Sequence, residues 1–283
     1  MIVKSIPKRE RIDRDTFSRW LANPRSPLVL TGMMAKWPAM EKWSFDYFAR
    51  QFGDFPVVAN APQFADLAKW SVNTTLADYV AYLENPDHIA GEWTVGDIDS
   101  LRSAGLSLYA GNFNPAHPVR GRPDEVFKDV PRLPKFIECW FDMLDPEFVE
   151  KCQRLQSHQF VYLSIAGGIT PLHHDFWETH AFLAQICGKK RAVLFHPKYM
   201  DELYREPTGD VPTLMRDPAF DHMTCWSAEL EPGQILIIPS NWLHWVETLT
   251  PSITYSIDWI DGSNWQAYVA EGQKALETRG LWP

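Results

Sequence analysis

From about residue 106 onward the chain is a series of short apolar runs, and this pattern constrains the fold more than any other feature. Glycine, proline or aspartate separates the runs, so each one has the length and boundaries of a β-strand. The runs are LSLYAGNF, QFVYLSIAGG, HAFLAQICG, KRAVLFHP, QILIIPS and SITYSIDWI. Their fairly regular spacing predicts an antiparallel sandwich or jelly roll.

The first third of the chain has a different, helix-type pattern. Residues 14–22 and 44–52 show helical apolar spacing, and Ser44 is a suitable N-cap for the second helix. Thr75 and Asp78 form a capping-box-like pair before another helix. This part therefore predicts an α/β shell that does not carry the chemistry.

These patterns together predict one catalytic domain of mainly β class with α elements. We expect an N-terminal α/β shell over 1–105, a double-stranded β-helix (jelly-roll) core over 106–262 and a C-terminal helix within 263–283. The stretch from Pro197 to Glu231 is predicted to be a long polar connection of the lid or binding type.

Composition and charge exclude several classes of function. The 283 residues are 45% hydrophobic, enough for one large core, and the formal net charge of -9 disfavours nucleic acids and anionic membranes as partners. The four cysteines lack the spacing of a zinc or disulfide framework. A charged start and the lack of an apolar run of transmembrane length predict a soluble, cytoplasmic protein.

Two distant fragments predict one metal site. The first contains His173, His174 and Asp175, and the second contains His244 after a very apolar strand and the strand-breaking Pro239. Two imidazoles and one carboxylate on neighbouring strands form the set that binds non-haem Fe(II) with open coordination positions. The pattern therefore indicates an oxygen-activating enzyme.

Strand geometry selects between the adjacent histidines. Side chains at i and i+2 share a face of a strand, so His173 and Asp175 are predicted to bind the metal together. His174 then points toward substrate or into a supporting hydrogen bond. Pairing His174 with Asp175 would require a bulge or turn.

A lysine cluster follows the HAFLAQICG run. Lys189 is expected to be solvated, whereas Lys190 is predicted to be a buried cation that binds a dicarboxylate cosubstrate, with Arg191 as the fallback. Among the 13 tryptophans, most are expected to fill the core. Those that flank the predicted ligands are candidates for contacting substrate, namely Trp177, Trp242 and Trp245.

The ordered motifs resemble those of the JmjC or cupin-like Fe(II)/2-oxoglutarate oxygenases. The string TPLHHD…FLAQICGKKRAVLFHP…PGQILIIPSNWLHWVETL…ITYSIDW carries the resemblance, which is strongest to the hydroxylase branch of the factor inhibiting HIF and covers roughly residues 14–260. It implies a cupin-like jelly roll with Fe(II) as cofactor and with 2-oxoglutarate and O2 as cosubstrates.

The resemblance also implies roles for individual residues. His173, Asp175 and His244 match the iron ligands, and Lys190 matches the lysine that binds the distal carboxylate of 2-oxoglutarate. Further positions that match cosubstrate contacts are Thr170 and, more loosely, Tyr109. Two asparagines of the family pattern are absent: Ala181 or Leu183 stands near the first position, and Asp258 replaces the second. We expect Asp258 either to be held by hydrogen bonds or to be turned away from the metal.

The implied reaction is hydroxylation of a C–H bond in a protein or peptide side chain, with release of succinate and CO2. The same chemistry on a small metabolite is the main alternative, and N-demethylation is its variant at a carbon bound to nitrogen. A third reading is a metal-binding cupin without oxygenase activity, in which Glu178 adds a fourth ligand. The C-terminal helix is expected either to mediate homodimer formation or to cap the barrel.

Overall fold

The computed structural model describes residues 1–22, 26–61, 70–104, 107–113, 123–131, 133–155, 158–204 and 211–281. Its strands are β1 (Ile2–Ser5), β2 (Lys8–Arg9), β3 (Leu28–Leu30), β4 (Pro56–Asn60), β5 (Ser71–Thr75), β6 (Glu92–Val95), β7 (Tyr109–Phe113), β8 (Gln159–Ser164), β9 (Ile169–His173), β10 (His180–Cys187), β11 (Lys190–Phe195), β12 (Thr224–Leu230), β13 (Ile235–Ile238), β14 (Leu243–Thr248) and β15 (Ser252–Trp259).

The α-helices are α1 (Arg14–Ala22), α2 (Ala39–Lys42), α3 (Phe45–Phe52), α4 (Leu76–Glu84), α5 (Ile98–Ser103), α6 (Pro123–Val126), α7 (Pro146–Leu155), α8 (Met200–Leu203), α9 (Val211–Leu214) and α10 (Trp265–Thr278). Short 3-10 helices cover Phe127–Asp129, Phe141–Met143, Phe176–Glu178, Pro197–Tyr199 and Pro218–Phe220. No helix in the described ranges is long and apolar enough to cross a membrane.

The strands from β8 to β15 form a two-sheet sandwich. Within the described residues, the smaller sheet has the order β1-β12-β11-β14-β9, and the larger has the order β2-β3-β13-β10-β15-β8-β7-β4-β5-β6. Strands β9, β11, β12 and β14 therefore face β8, β10, β13 and β15. This arrangement confirms the predicted jelly-roll core, and it also shows that strands from the first third of the chain extend both sheets.

Apolar layers cover both sheets of the sandwich. The N-terminal shell packs on the outer face of the larger sheet, where Phe17, Phe48 and Tyr79 join Phe182 and Tyr255 in one cluster. Strand β13 is buried on both faces, and its sequence ILII is continuously apolar. Strand β15 is buried along its whole length although its sequence SITYSIDW alternates polar and apolar residues.

Local capping explains where several helices begin. The Ser44 hydroxyl accepts a hydrogen bond from the Tyr47 amide at the start of α3. At α4 the Thr75 hydroxyl accepts from the Asp78 amide and donates to the Asp78 carboxylate, at 3.2 and 2.7 Å. Both predicted caps are therefore confirmed.

The prediction of a long polar connection between Pro197 and Glu231 was wrong for the C-terminal end of this segment. That region includes α8, α9 and the core strand β12, whose residues Cys225 to Leu230 pair with β11. Sequence reasoning missed β12 because its Ser227 and Glu229 alternate with buried residues, and short polar alternation resembles a loop.

Candidate metal centre

The antiparallel pairing of β9 with β14 places His173 directly opposite His244. The chain leaves β9 at His173 but stays extended through Asp175, whose φ and ψ are −69° and 145°. The carboxylate of Asp175 therefore returns to the face that carries His173. Its Oδ1 lies 3.9 Å from Nε2 of His173 and 3.7 Å from Nε2 of His244.

Among the described residues, these three form the one cluster of metal-ligand type, with their ligand atoms within 4.8 Å of one another. The ring centroids of the two histidines are 4.1 Å apart. The strand geometry thus brings together the three side chains that the sequence selected from two distant fragments.

The two imidazoles are oriented by the same local contact. Nδ1 of His173 donates to the carbonyl oxygen of Pro171 at 2.7 Å, and Nδ1 of His244 donates to that of Trp242 at 3.1 Å. With the proton held on Nδ1, each Nε2 presents its lone pair toward Asp175. This is the donor set that a divalent metal requires, and it fits Fe(II).

Electrostatics keep the site ready for a cation. Burial, followed by the charge of the neighbouring His244, lowers the pKa of His173 to about 4. His173 is therefore neutral near pH 7, as a metal ligand must be.

Lys190 begins β11 and belongs to the interior of the barrel. It shares a strand face with Leu194, which pairs with His244 four residues further along β11, about 13 Å at the usual strand rise. A lysine side chain and a five-carbon dicarboxylate can together span this distance. Lys190 is 3% exposed, its Nζ lies 5.5 Å from the ring centroid of Tyr162, and burial lowers its pKa to about 7.

The neighbouring basic residues lie at the surface, as the sequence predicted for Lys189. Lys189 pairs with Glu231, and Arg191 pairs with both Glu229 and Glu247. Arg191 is thus engaged outside the barrel, which leaves Lys190 as the cation of this group that enters the interior.

The structure describes the two other predicted cosubstrate contacts to different extents. Thr170 lies on β9 opposite Val246 of β14. Strand β14 also pairs with β11, the strand that carries Lys190. The backbone of Tyr109 belongs to β7 and pairs with Asn60 and Ser164, but the Tyr109 side chain lies outside the described part of the structure. Both roles remain predictions.

Asp258 lies on β15 opposite Ala181 and is 8% exposed. Burial, followed by the charge of Asp175, raises the pKa of Asp258 well above its ordinary range. Its Oδ2 is 3.7 Å from Nδ1 of buried His158. Both effects favour the protonated form of Asp258 over the charged form.

His158, the buried residue beside Asp258, was not identified from the sequence. Its Nε2 lies 3.1 Å from the hydroxyl of Tyr268 on α10, and its ring stacks on Phe141. Residue 158 lies immediately before the QFVYLSIAGG run, so no periodic signal distinguishes it from a loop histidine.

His174 turns away from the three clustered side chains, as strand alternation predicted. Its Nδ1 lies 2.6 Å from the hydroxyl of Tyr204. Next to it, Phe176 is 67% exposed. The alternative pairing of His174 with Asp175 is not the one observed, whereas a substrate contact by His174 remains a prediction.

The three tryptophans predicted to contact substrate lie in three different environments. Trp245 points to the opposite face of β14 from His244 and packs with Phe195 in a buried cluster. Trp242 fills the barrel interior, and both indoles are 2% exposed. Trp177 packs against His158 and Tyr268, beneath α10. The position of Trp245 argues against its predicted substrate contact. The contacts predicted for Trp242 and Trp177 remain predictions.

Comparison with known proteins gives a consistent result. The chain is 25% identical over 93% of its length to the arginine-specific demethylase JMJ20 of Arabidopsis thaliana, and 27% identical over 88% of its length to the human 2-oxoglutarate and iron-dependent oxygenase JMJD4. These alignments cover 58% and 59% of the two relatives, so this chain spans less than two thirds of each.

A third relative is the chicken tRNA wybutosine-synthesizing protein 5, 28% identical over 90% of this chain and 76% of the relative. The family model described as cupin-like domain matches residues 14–263. The predicted resemblance is thereby confirmed over residues 14–263. The chain belongs to the cupin-like domain family.

Proposed function

We propose that this protein is an Fe(II)- and 2-oxoglutarate-dependent oxygenase that hydroxylates a C–H bond of a protein or peptide side chain. The observation that carries the proposal is the convergence of His173, Asp175 and His244, with both imidazole Nδ1 protons held by backbone carbonyls. The reaction would consume 2-oxoglutarate and O2 and release succinate and CO2, with the second oxygen atom entering the substrate.

In this proposal the three clustered residues bind the iron, and Lys190 binds the distal carboxylate of 2-oxoglutarate. When bound, the iron supplies the activation of O2 that amino-acid side chains cannot provide. The protein orients both cosubstrates and keeps the ammonium of Lys190 in a dry interior, where its attraction to a carboxylate is weakly screened.

The structure argues against Glu178 as a fourth metal ligand. Its Oε2 accepts a hydrogen bond of 2.9 Å from Nδ2 of Asn241, and Glu178 is not part of the three-residue cluster. The alternative of a cupin without oxygenase activity therefore loses the feature that favoured it. Two relatives are named demethylases for arginine and lysine, which supports a protein substrate.

The first test is anaerobic binding of Fe(II) and 2-oxoglutarate followed by visible absorption. We expect a weak charge-transfer band that disappears in Asp175→Ala, together with loss of succinate formation. His222→Ala is a matched control, because His222 is an exposed histidine that pairs with Glu202 outside the site. Succinate formation that survives in Asp175→Ala would contradict the ligand assignment.

The substrate class requires a separate screen. Peptides, free metabolites and tRNA should be compared by coupled succinate detection and mass spectrometry, with tRNA included because one relative is named for tRNA wybutosine synthesis. Gain of one oxygen on a peptide is the expected result. Loss of a methyl group would instead assign N-demethylation, and modification of a metabolite or tRNA alone would refute the protein-substrate proposal.

A further inference from the structure

The two segments that carry the clustered side chains share an unusual backbone feature. Among the described residues, the non-glycine residues with positive φ are Trp177, Glu178 and Asn241, at 58°, 53° and 66°. Glu178 lies three residues after Asp175, and Asn241 lies three residues before His244. Left-handed conformations are strained for Trp177 and Glu178, and such conformations persist only where the surroundings enforce them, whereas asparagine adopts them more readily.

Hydrogen bonds between the two segments provide that enforcement. Nδ2 of Asn241 donates to Oε2 of Glu178 at 2.9 Å, so two of the left-handed residues are joined directly. Nearby, the backbone amide of Ser240 donates to Nδ1 of His180, also at 2.9 Å. The buried Asn264, at the start of α10, donates to the carbonyl oxygen of Glu178 at 2.8 Å.

The strand ladder alone does not fix the spacing of the ligands. The register between β9 and β14 is irregular between His244 and Val246, so regular pairing is interrupted next to one of the predicted ligands. Asp175 lies beyond the end of β9 and has no ladder contact of its own. Side-chain hydrogen bonds therefore have to supply part of the positioning.

We propose that Glu178 and Asn241 are positioning residues, whose mutual hydrogen bond sets the distance between His244 and the His173–Asp175 segment before a divalent cation binds. This inference rests on the proposed metal site and deepens it. Without the hydrogen bond, the two segments are held less firmly relative to each other, and the cation must reorder them on binding. The loss should therefore appear in metal affinity.

The test separates the hydrogen bond from the backbone conformation. Glu178→Asn removes one methylene and with it the reach to Asn241, while asparagine tolerates positive φ better than glutamate. Asn241→Gly removes the amide, and glycine adopts positive φ without strain. Glu178→Gln keeps an oxygen acceptor and is the conservative control. None of these side chains belongs to the three-residue cluster.

Binding of Co(II) to the metal-free full chain, followed by its visible absorption, is the measurement. We expect Kd to rise about tenfold in Glu178→Asn and in Asn241→Gly, as for other residues that support metal ligands. Glu178→Gln should stay within about twofold of the unmodified protein. The double variant should be no weaker than either single variant, because both lose the same hydrogen bond. Circular dichroism melts of the metal-free proteins should be nearly unchanged.

Unchanged Kd in both deletion variants would overturn the proposal, as would independent effects that multiply in the double variant. A melting midpoint that falls in parallel with affinity, with no rescue by Glu178→Gln, would also overturn it, because it would indicate a general structural role. If the unmodified protein binds Co(II) no better than His173→Ala, the metal site itself is refuted. That outcome is distinguishable because it does not depend on the Glu178 and Asn241 variants.

Discussion

The charge of Lys190 near neutral pH depends on whether a carboxylate is bound beside it. Burial lowers its pKa to about 7, so the unliganded side chain loses its proton in the physiological range. A bound carboxylate favours the charged form and raises the pKa again. The affinity for 2-oxoglutarate should consequently be constant below about pH 7 and should weaken as the pH rises above that value.

The expected result is a Kd for 2-oxoglutarate that increases about 15-fold between about pH 7 and pH 8.5, with a slope that approaches tenfold per pH unit at the upper end. Titration calorimetry of the anaerobic iron-loaded protein measures it. Lys190→Arg should bind more weakly but without this dependence, because guanidinium stays protonated. A flat profile in the unmodified protein would show that Lys190 keeps its charge without the ligand.

Asp258 offers a prediction about stability. Its folded-state pKa is raised by burial and by the charge of Asp175, so its contribution to stability is fully present below the unfolded pKa and is lost as the pH rises through the folded value. Asp258→Asn removes the ionisable group while keeping the shape. The variant should therefore be more stable than the unmodified protein at pH 8, and the difference should shrink toward pH 4.

Thermal unfolding of the metal-free proteins checks this expectation. A rise of at least about 2 to 4 °C at pH 8 corresponds to roughly 1 kcal/mol in a protein of this size. Asp201 is exposed, so Asp201→Asn is the matched control for the loss of one acidic side chain. Equal stability of Asp258→Asn and the unmodified protein at both pH values would contradict the raised pKa of Asp258.

Sequence reasoning was most accurate where a residue's role follows from strand alternation or local motifs. His173 and Asp175 obey the two-residue repeat, and the burial of Lys190 was correctly distinguished from the exposure of Lys189. The placement of Trp245 could not be obtained this way, because the face of β14 that is buried under other elements depends on the packing of α8 and α9.

At the scale of elements, the turn between β10 and β11 determines where Lys190 enters the barrel. Gly188 in this turn has φ of +71°, and a Cβ there would collide with the carbonyl of Pro251. Gly233, in the turn before β13, has φ of +87° but open space around it. Substitutions at these two glycines therefore distinguish the effect of backbone strain from the effect of a steric clash.

We expect Gly233→Ala to cost about 1 kcal/mol, from backbone strain alone. Gly188→Ala should cost at least about 2 kcal/mol more and should weaken 2-oxoglutarate binding, since the turn must move to accommodate the methyl group. Denaturant unfolding measures both variants. Similar losses of unfolding free energy in Gly233→Ala and Gly188→Ala would mean that the β10–β11 turn is not packed against Pro251.

The helix starts and the missed strand show how far local signals reach. Ser44 and Thr75 were predictable because a cap involves residues within one turn of the helix. The left-handed conformation of Trp177 and Glu178 was not, because it depends on contacts with α10 and with Asn241. Such contacts join parts of the chain that no sequence window covers.

At the scale of the whole molecule, the jelly-roll topology explains why the site is assembled from distant parts of the sequence. Successive strands pass between two sheets, so β9 and β14 become neighbours although four strands separate them along the chain. The family pattern predicted this architecture. The extension of the sheets by β1 and β4–β6 could not be read from it, since short strands carry little periodic signal.

The aromatic core has an optical consequence. The indole nitrogens of Trp43, Trp245 and Trp259 are buried and have no hydrogen-bond partner within the described residues. Indoles in such dry surroundings emit at shorter wavelengths than hydrated ones, so the native protein carries a built-in fluorescent reporter of its own integrity. Trp177, between His158 and the C-terminal helix, extends that reporter to the edge of the metal centre.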